Sequence, residues 1–127
     1  MNRILVVDDD KESRNLLTEI LEENGYTVCA VGDGVAAREL LAGDAEYGVV
    51  IADLRMPQES GLELLRKLRE QQSSQPVILM SSFLSPGERK DATALGAYAL
   101  FEKPLRLGEV LRVVGQLATP SPLGIVT

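Results

Sequence analysis

The sequence predicts an α/β domain in which a parallel sheet is covered by helices on both faces, a three-layer αβα sandwich. Five short apolar runs rich in β-branched residues alternate with five segments of helical periodicity. Strict alternation of this kind is typical of parallel strands joined by right-handed helical crossovers. The runs are apolar throughout, as expected for strands that are buried on both faces. With 127 residues, of which 45% are hydrophobic, the chain is long enough for one domain with its own core.

The first half of the chain contains three strand–helix units. Asp10 and Asp33 are suitable N-caps for the first two helices, and Gly25 and Gly43 are placed to end them. Ser60-Gly61-Leu62-Glu63 fits a capping box at the start of the third helix. The strands are predicted at residues 3–7, 27–31 and 48–53, and the apolar helix positions are Leu16, Leu17, Ile20 and Leu21, then Val35, Ala36, Leu40 and Leu41, then Leu62, Leu64, Leu65 and Leu68.

The second half of the chain completes the pattern with two further units. A fourth strand is predicted at residues 76–81, and Ser85-Pro86-Gly87-Glu88 combines a capping box with proline in the first helical turn. This fourth helix should end near Gly96, and a fifth strand should span residues 98–102. We expect a domain at residues 1–118 and a fraying tail or the start of a linker at 119–127. The last helix carries Leu107, Val110, Leu111, Val114 and Leu117 on its apolar face.

Composition excludes several classes of function. The net charge of −6 and the absence of an isolated basic cluster argue against direct binding to nucleic acid. Because the chain has no histidine, it cannot form histidine-ligated metal sites or a Ser/His/Asp triad. Its single cysteine, Cys29, cannot form an internal disulfide and is expected in the core. No run is long enough to span a membrane or to serve as a signal peptide, so we expect a soluble, cytoplasmic chain.

Polar side chains stand where four of the predicted strands end. Asp8 and Asp9 follow the first strand, Asp53 ends the third, Ser81 ends the fourth and Lys103 follows the fifth. Because parallel strands end at one edge of a sheet, where open α/β sheets bind ligands, these groups should converge. Taken singly, each also fits a structural role: the acidic residues as helix caps, the serine as a strand-end residue and the lysine as surface charge. Their shared position at equivalent strand ends favours a site.

The expected charges suggest what such a site requires. Two carboxylates about 5 Å apart repel each other by about 3 kcal/mol at an effective dielectric constant of about 20, so a group of three needs compensating cations. Oxygen ligands without histidine or cysteine favour a hard ion, and Mg²⁺ commonly binds one or two carboxylates, several waters and phosphate oxygens. Lys103 would add positive charge, and Ser81 would offer a hydroxyl to a phosphoryl oxygen. Asp53 is then the candidate nucleophile for an acyl phosphate.

Several short motifs stand in order along the chain: Val6-Val7-Asp8-Asp9-Asp10, Asp33-Gly34 with Ala37, Asp53-Leu54-Arg55-Met56-Pro57 with Gly61, Ser81, Ala94-Leu95-Gly96-Ala97 and Lys103-Pro104. Together they resemble the receiver domain of two-component response regulators over about residues 2–118. The resemblance implies a flavodoxin-like sheet of order 2-1-3-4-5 and phosphorylation of Asp53 by a sensor histidine kinase or a phosphotransfer protein. It also implies Mg²⁺ held by Asp9, Asp53 and the backbone carbonyl of Arg55, with Asp8 holding a metal-bound water and with Ser81 and Lys103 contacting the phosphoryl group.

Three departures from the family pattern concern the expected switch and the expected dimer surface. Family members commonly carry threonine where this chain has Ser81, and tyrosine or phenylalanine where it has Leu100. The neighbouring Phe101 should point to the opposite face of the sheet, because side chains alternate along a strand. Phosphorylation would then be intact while its coupling to the surface of the fourth helix, fifth strand and fifth helix is altered. Tyr98 and Ala99 stand where many DNA-binding regulators have acidic residues for dimerisation, so that dimer is not expected.

We therefore hypothesise a phosphorylation-switched signalling module that acts on an unknown downstream protein and catalyses only its own phosphorylation and dephosphorylation. Arg55 and Phe83, each two residues beyond a strand-end site residue, should control access of water to the phosphoryl group. Two alternatives remain open. One is a receiver-like adaptor that binds its partner without phosphorylation. The other is an aspartyl-phosphate phosphatase of the haloacid dehalogenase type, which Asp8 and Asp10 imitate, although such enzymes need a late acidic pair and only Glu109 follows Lys103.

Overall fold

The computed structural model of the protein describes residues 1–121 and contains a five-stranded parallel sheet of order β2-β1-β3-β4-β5. This order confirms the expected fold class. Residues 122–127 of the proposed tail lie outside the described residues. The strands are β1 (Arg3–Val7), β2 (Thr27–Val31), β3 (Val49–Asp53), β4 (Val77–Ser81) and β5 (Ala99–Glu102), and the helices are α1 (Lys11–Glu23), α2 (Gly34–Leu41), α3 (Gly61–Glu70), α4 (Pro86–Ala94) and α5 (Leu107–Val114).

The register of the sheet places the carboxyl ends of its strands at one edge. All neighbouring strands are parallel, with Val7 beside Ala52 and Asp53 beside Met80. Every residue of β3 and β4 is buried, whereas the edge strands β2 and β5 are half-buried or exposed. A residue at the end of β3 is therefore held by strands on both sides.

The sheet separates two apolar cores, since successive side chains point to opposite faces. Leu5 and Val7 pack with residues of α2, α3 and α4, while Ile4 and Val6 pack with residues of α1 and α5. β5 follows the same alternation, with Leu100 against the first core and Phe101 against the second. Each fully buried large side chain contributes about 1.5–3 kcal/mol, so the two cores fix the sheet from both sides.

The caps seen in the sequence form at three helices. Ser60 and Ser85 accept hydrogen bonds from the N–H groups of Glu63 and Glu88, and each glutamate side chain accepts from the backbone of its serine. Asp33 caps α2 by accepting from the N–H of Ala36 at 2.8 Å. Asp10 occupies the N-cap position of α1, but its carboxylate accepts from the hydroxyl of Ser13 instead of a backbone N–H.

Two residues expected on apolar helix faces are exposed. Leu16 is 55% exposed and Val35 is 38% exposed. Leu17 and Leu21, four residues apart, point at the core from the centre of their helix face, and Leu16 lies to one side of that line. In α2 the buried residues are Gly34 and Ala37, neither of which was among the apolar helix positions predicted from periodicity. Leu16 instead lines a groove with Pro104, Leu105 and Leu107 beside the carboxyl edge of the sheet.

The beginning of the expected tail is attached to the domain. The N–H of Thr119 donates to the carbonyl of Met1, and the N–H of Ser121 donates to the carbonyl of Gly25, each at 2.7 Å. Backbone hydrogen bonds of this kind connect residues 119–121 to the amino edge of the sheet, and the fraying expected for residues 119–127 stays a prediction.

Helix α4 is held mainly at its ends. Ala92 is its buried residue, whereas α3 buries Gly61, Leu64, Leu65 and Leu68. Arg69 fixes the carboxyl end of α4 by donating to the carbonyls of Leu95 and Gly96 at 2.8 and 3.3 Å. Within residues 1–121, none of the helices combines the length and the hydrophobicity that crossing a bilayer requires.

Candidate functional site

The residues singled out from the sequence meet at the carboxyl edge of the sheet. Asp8 and Asp9 directly follow β1, Asp53 is the last residue of β3, Ser81 is the last residue of β4, and Lys103 directly follows β5. The structure thus places at one edge the residues that the strand pattern predicted to converge.

Three carboxylates form the centre of this group. Asp8, Asp9 and Asp53 each offer an oxygen, and these oxygens lie within 4.8 Å of one another. Asp8 is fully buried and Asp53 is 7% exposed, whereas Asp9 is exposed. A cluster of oxygen donors that is open to water on one side suits a hard cation that keeps part of its hydration shell, so the residues present fit Mg²⁺.

Lys103 brings positive charge to the same group. Its Nζ lies 2.5 Å from Oδ2 of Asp53 and 3.4 Å from Oδ2 of Asp8. Burial would lower the pKa of Lys103, but the hydrogen bond and charge of Asp53, together with Asp8, raise that pKa above the usual lysine value. Burial, reinforced by the charge of Asp53, raises the pKa of Asp8 despite the hydrogen bond from Asp10 and the charge of Lys103. The ammonium group therefore stays charged and compensates for only part of the acidic cluster.

Backbone N–H groups hold the two buried carboxylates in place. Oδ1 of Asp53 accepts from the N–H of Arg55 at 2.9 Å, and Oδ1 of Asp8 accepts from the N–H of Asp10 at 3.0 Å. In each carboxylate the other oxygen is the one that contacts Lys103. The turn after β3 thus fixes the orientation of Asp53 and contains the backbone carbonyl of Arg55, which the family resemblance implies as the third protein ligand of the metal.

Gly61 allows the start of α3 to approach the end of β3. A Cβ atom at this position would lie 2.5 Å from the carbonyl oxygen of Asp53, closer than atoms tolerate, and 3.1 Å from the side chain of Leu79. The N–H of Gly61 donates to the carbonyl of Leu54 at 3.2 Å and closes the loop. The missing side chain is therefore part of what positions Asp53.

Ser81 lies at the site with its hydroxyl turned to its own loop. The residue is fully buried, its Oγ donates to the carbonyl of Phe83 at 2.8 Å, and it accepts from the N–H of Phe83 at 3.2 Å. The side chain of Phe83 is 64% exposed. A hydroxyl group rotates about its C–O bond, so the proton of Ser81 is not restricted to the carbonyl of Phe83.

Arg55 spans the gap between the loops that follow β3 and β4. Its Nη2 lies 3.2 Å from the carbonyl of Phe83 and 2.6 Å from Oε1 of Glu88, in the first turn of α4. The sequence predicted that Arg55 and Phe83 would stand near the site. It gave no sign of Glu88 as a partner, because nothing in the spacing of residues 33 positions apart indicates a contact.

Leu100 occupies the position where the family commonly has an aromatic ring. It is half-buried in β5 and packs against the core formed with α2, α3 and α4. Phe101 packs against the other core. As expected from strand alternation, the phenylalanine ring is on the wrong face of the sheet to replace the missing aromatic side chain.

An ion cluster behind the site was not found from the sequence. Glu59 is 4% exposed, and its carboxylate binds Arg38 of α2 at 2.8 Å and Lys67 of α3 at 2.5 Å. A Cβ atom on Gly34 would lie 2.8 Å from Oε2 of Glu59, so the glycine leaves room for this carboxylate. Since Glu59 belongs to the loop between Asp53 and Gly61, the cluster ties that loop to two helices.

Glu59→Gln should destabilise the protein by about 1–2 kcal/mol at neutral pH, allowing for the partial exposure of both cations. Burial raises the pKa of Glu59, but the hydrogen bonds and charges of Arg38 and Lys67 lower it overall. A carboxylate with a lowered folded pKa stabilises above the usual value of 4.5 and loses this contribution as the pH falls through the folded pKa. Urea unfolding at neutral pH and at about pH 3 should show the difference between variant and wild type shrinking. A difference that stays constant would contradict the ion-pair explanation.

Comparison with known proteins identifies similar sequences and folds. Residues 4–115 match the family described as response regulator receiver domain. The chain is 36% identical over 126 residues to the protein PetR of Rhodobacter capsulatus, covering 94% of this chain and 52% of that protein. It is 40% identical over 109 residues to the response regulator MprA of Mycobacterium ulcerans, covering 86% of this chain and 47% of that protein. The chain thus spans about half the length of the curated relatives it matches.

Solved structures show the same fold. A response regulator receiver protein from Pseudomonas putida superposes with a TM-score of 0.86 at 32% identity, covering 90% of this chain and 95% of that chain. The response regulator protein TrrA of Thermotoga maritima, in complex with Mg²⁺-BeF, superposes with a TM-score of 0.78 at 33% identity, covering 92% and 99% of the two chains.

Proposed function

Because the chain belongs to the response regulator receiver domain family, we propose that it is the phosphoacceptor module of a two-component system, with Asp53 as the residue that is phosphorylated. As a receiver domain it is not an enzyme in the usual sense, since the group that reacts is its own. The observation that carries the proposal is the convergence of Asp8, Asp9 and Lys103 on Asp53 at the edge of the sheet. The donor would be a sensor histidine kinase or a phosphotransfer protein.

In the proposed reaction, a carboxylate oxygen of Asp53 attacks the phosphorus atom of a phosphohistidine. The new O–P bond forms as the P–N bond breaks, and the electron pair of that bond leaves with the imidazole nitrogen. Mg²⁺, when bound by Asp9, Asp53 and the carbonyl of Arg55 with one of its waters on Asp8, would neutralise charge on the transferring group. The turn that fixes Oδ1 of Asp53 on the N–H of Arg55 orients the nucleophile.

Lys103 and Ser81 complete the proposed pocket. Lys103 lies 2.5 Å from Asp53, so its ammonium group is placed to contact a phosphoryl oxygen bound there. Ser81 would transfer its hydroxyl hydrogen bond from the carbonyl of Phe83 to another phosphoryl oxygen. This movement would shift the loop before α4 and with it a pre-existing equilibrium of the helix.

The phosphorylated state would be read by a downstream protein. We propose that the surface near α4 and β5 changes on phosphorylation, with Leu100 altering the coupling because it has no ring to move inward. The position of Leu100 against the core shared with α3 and α4 supports a role for packing at this position. We also propose a cytoplasmic location, because the single cysteine suits a reducing compartment.

Phe83→Glu should shorten the lifetime of the phosphoryl group about two- to tenfold without preventing phosphorylation. The ring is 64% exposed, so its loss should not affect the fold, while a carboxylate near Asp53 can accept a proton from an attacking water. The measurement is the decay of phosphorylated protein after removal of the donor. Phe83→Leu is the matched control, since it keeps an apolar side chain. Equal decay rates for Phe83→Glu and wild type would reject a role for this position in controlling water.

Incubation with acetyl phosphate and Mg²⁺, followed by mass spectrometry of the intact chain and its peptides, tests the proposed function. A stoichiometric adduct on the peptide that contains Asp53 supports a receiver. Sustained release of phosphate from a phosphomonoester would instead indicate a phosphatase. No adduct and no release, together with unchanged binding of a partner, would indicate a receiver-like adaptor.

A further inference from the structure

A chain of hydrogen bonds leads from the site to the start of α4. The hydroxyl of Ser81 donates to the carbonyl of Phe83 at 2.8 Å, and Nη2 of Arg55 donates to the same carbonyl at 3.2 Å. Nη2 of Arg55 also lies 2.6 Å from Oε1 of Glu88. The buried hydroxyl at the end of β4 is thus linked through one carbonyl and one guanidinium group to the first turn of a helix.

Glu88 has two functions in this chain. As the third residue of α4, it accepts the N–H of Ser85 on Oε1 at 3.2 Å and closes the capping box. The same oxygen binds Arg55, whose side chain is 54% exposed, whereas that of Glu88 is 23% exposed. The capping bond fixes the carboxylate on the helix, and the fixed carboxylate in turn selects one position for a long and otherwise mobile arginine.

We propose that Glu88 is a positioning residue for the phosphoryl group: by holding Arg55 on the carbonyl of Phe83, it keeps the guanidinium group between the loops that follow Asp53 and Ser81 and joins those loops to α4. This inference rests on the proposed function, because it concerns the lifetime of a phosphoryl group on Asp53. It goes further by assigning a role to a residue outside the pocket.

Two physical effects follow from this arrangement. The side chain of Arg55 starts in the loop after β3, and its guanidinium group contacts the loop after β4, so it bridges the two loops that follow Asp53 and Ser81. We expect this bridge to restrict the access of water to a group bound between those two residues. In addition, a carbonyl oxygen can accept two hydrogen bonds. When Ser81 redirects its proton to a phosphoryl oxygen, Arg55 keeps the carbonyl of Phe83 satisfied and lowers the cost of the change.

The test compares two chemically matched glutamates. Glu88→Gln keeps an oxygen for the capping box, which also accepts glutamine, and removes the negative charge that holds Arg55. Glu63→Gln is the control, because Glu63 closes an identical capping box with Ser60 in α3 and has no ion-pair partner among the described residues. The protein is phosphorylated with acetyl phosphate and Mg²⁺, the donor is removed, and the decay of the Asp53 adduct is followed by intact mass.

We expect Glu88→Gln to accelerate decay by about two- to fivefold, the range that one exposed ion pair can supply. Glu63→Gln should decay like wild type. In an Arg55→Ala background, Glu88→Gln should have no further effect, because the glutamate acts through the arginine. The effect of Glu88→Gln should also shrink in about 1 M NaCl, where the screening length is about 3 Å.

Several results would overturn the inference. They are equal decay of Glu88→Gln and wild type, an equal acceleration by Glu63→Gln, or effects of Arg55→Ala and Glu88→Gln that simply multiply. The last result would show that the two residues act independently. This conclusion holds even if Glu88→Gln also weakens α4. If wild type forms no adduct on Asp53, the proposed function itself fails and this inference fails with it. If wild type forms the adduct and Glu88→Gln decays at the same rate, only this inference fails.

Discussion

Asp53→Asn should lower the affinity of the protein for beryllofluoride in the presence of Mg²⁺ by at least about a hundredfold, or about 2.7 kcal/mol. Beryllofluoride imitates a phosphoryl group by binding to a carboxylate oxygen, and the amide of asparagine has no anionic oxygen to offer. The fold should survive the substitution, because asparagine is isosteric and its Oδ1 can still accept the N–H of Arg55, as Asp53 does at 2.9 Å. Titration followed by calorimetry or NMR gives the two affinities directly.

Asp44→Asn is a suitable control for the loss of one negative charge. Asp44 is exposed and precedes β3, so it lies at the amino edge of the sheet, away from Asp53. The control should bind beryllofluoride and Mg²⁺ like wild type. If Asp53→Asn bound as tightly as Asp44→Asn, the assignment of Asp53 as the acceptor would be wrong.

Gly61→Ala should destabilise the protein by about 2–3 kcal/mol, as expected when a methyl group is forced into a filled space. The new Cβ would lie 2.5 Å from the carbonyl oxygen of Asp53, which is backbone in a buried strand and cannot rotate away. Either α3 or the end of β3 must move. Because the end of β3 positions Asp53, we also expect weaker binding of Mg²⁺, measured on protein that is still folded at low temperature.

Gly108→Ala supplies the matched control for Gly61→Ala. Gly108 also lies in the first turn of a helix, and a Cβ atom there would meet nothing within 4 Å. Replacing glycine with alanine at such a position usually stabilises a protein by about 0.4–1 kcal/mol. Urea unfolding of the two variants should therefore shift in opposite directions. A stable Gly61→Ala variant with normal Mg²⁺ affinity would contradict the close approach.

The sequence predicted the fold well because its signals are local. All five strands appear within one residue of the expected bounds, and the capping boxes beginning at Ser60 and Ser85 form as the residue pattern indicated. The order of strands did not follow from the alternation alone, since several orders satisfy the handedness rule. It came from the resemblance to receiver domains.

The candidate site was predictable for a related reason. In a parallel sheet, position along a strand also gives position in space, so residues that end different strands are placed together. This argument predicts from the sequence alone that Asp8, Asp53 and Lys103 lie at one edge. It applies only to residues at or directly after strand ends.

Contacts between loops and helices lay beyond that argument. The ion pair of Arg55 with Glu88 and the cluster of Glu59 with Arg38 and Lys67 depend on how α2, α3 and α4 are rotated about their axes. That rotation is set by packing of the whole core, which a hydrophobic pattern describes only coarsely. The exposure of Leu16 has the same origin.

Helix α4 is attached more firmly at its carboxyl end, where Ala92 is buried, than at its opening turn. Arg69 donates two hydrogen bonds to the carbonyls of Leu95 and Gly96 at the carboxyl end of the helix, whereas one exposed ion pair links Glu88 in the first turn to Arg55. We therefore expect a displacement of α4 to leave its carboxyl end in place. On this expectation, the turn that begins at Pro86 would move most, and its displacement is what a change at the carboxyl edge of the sheet would alter first.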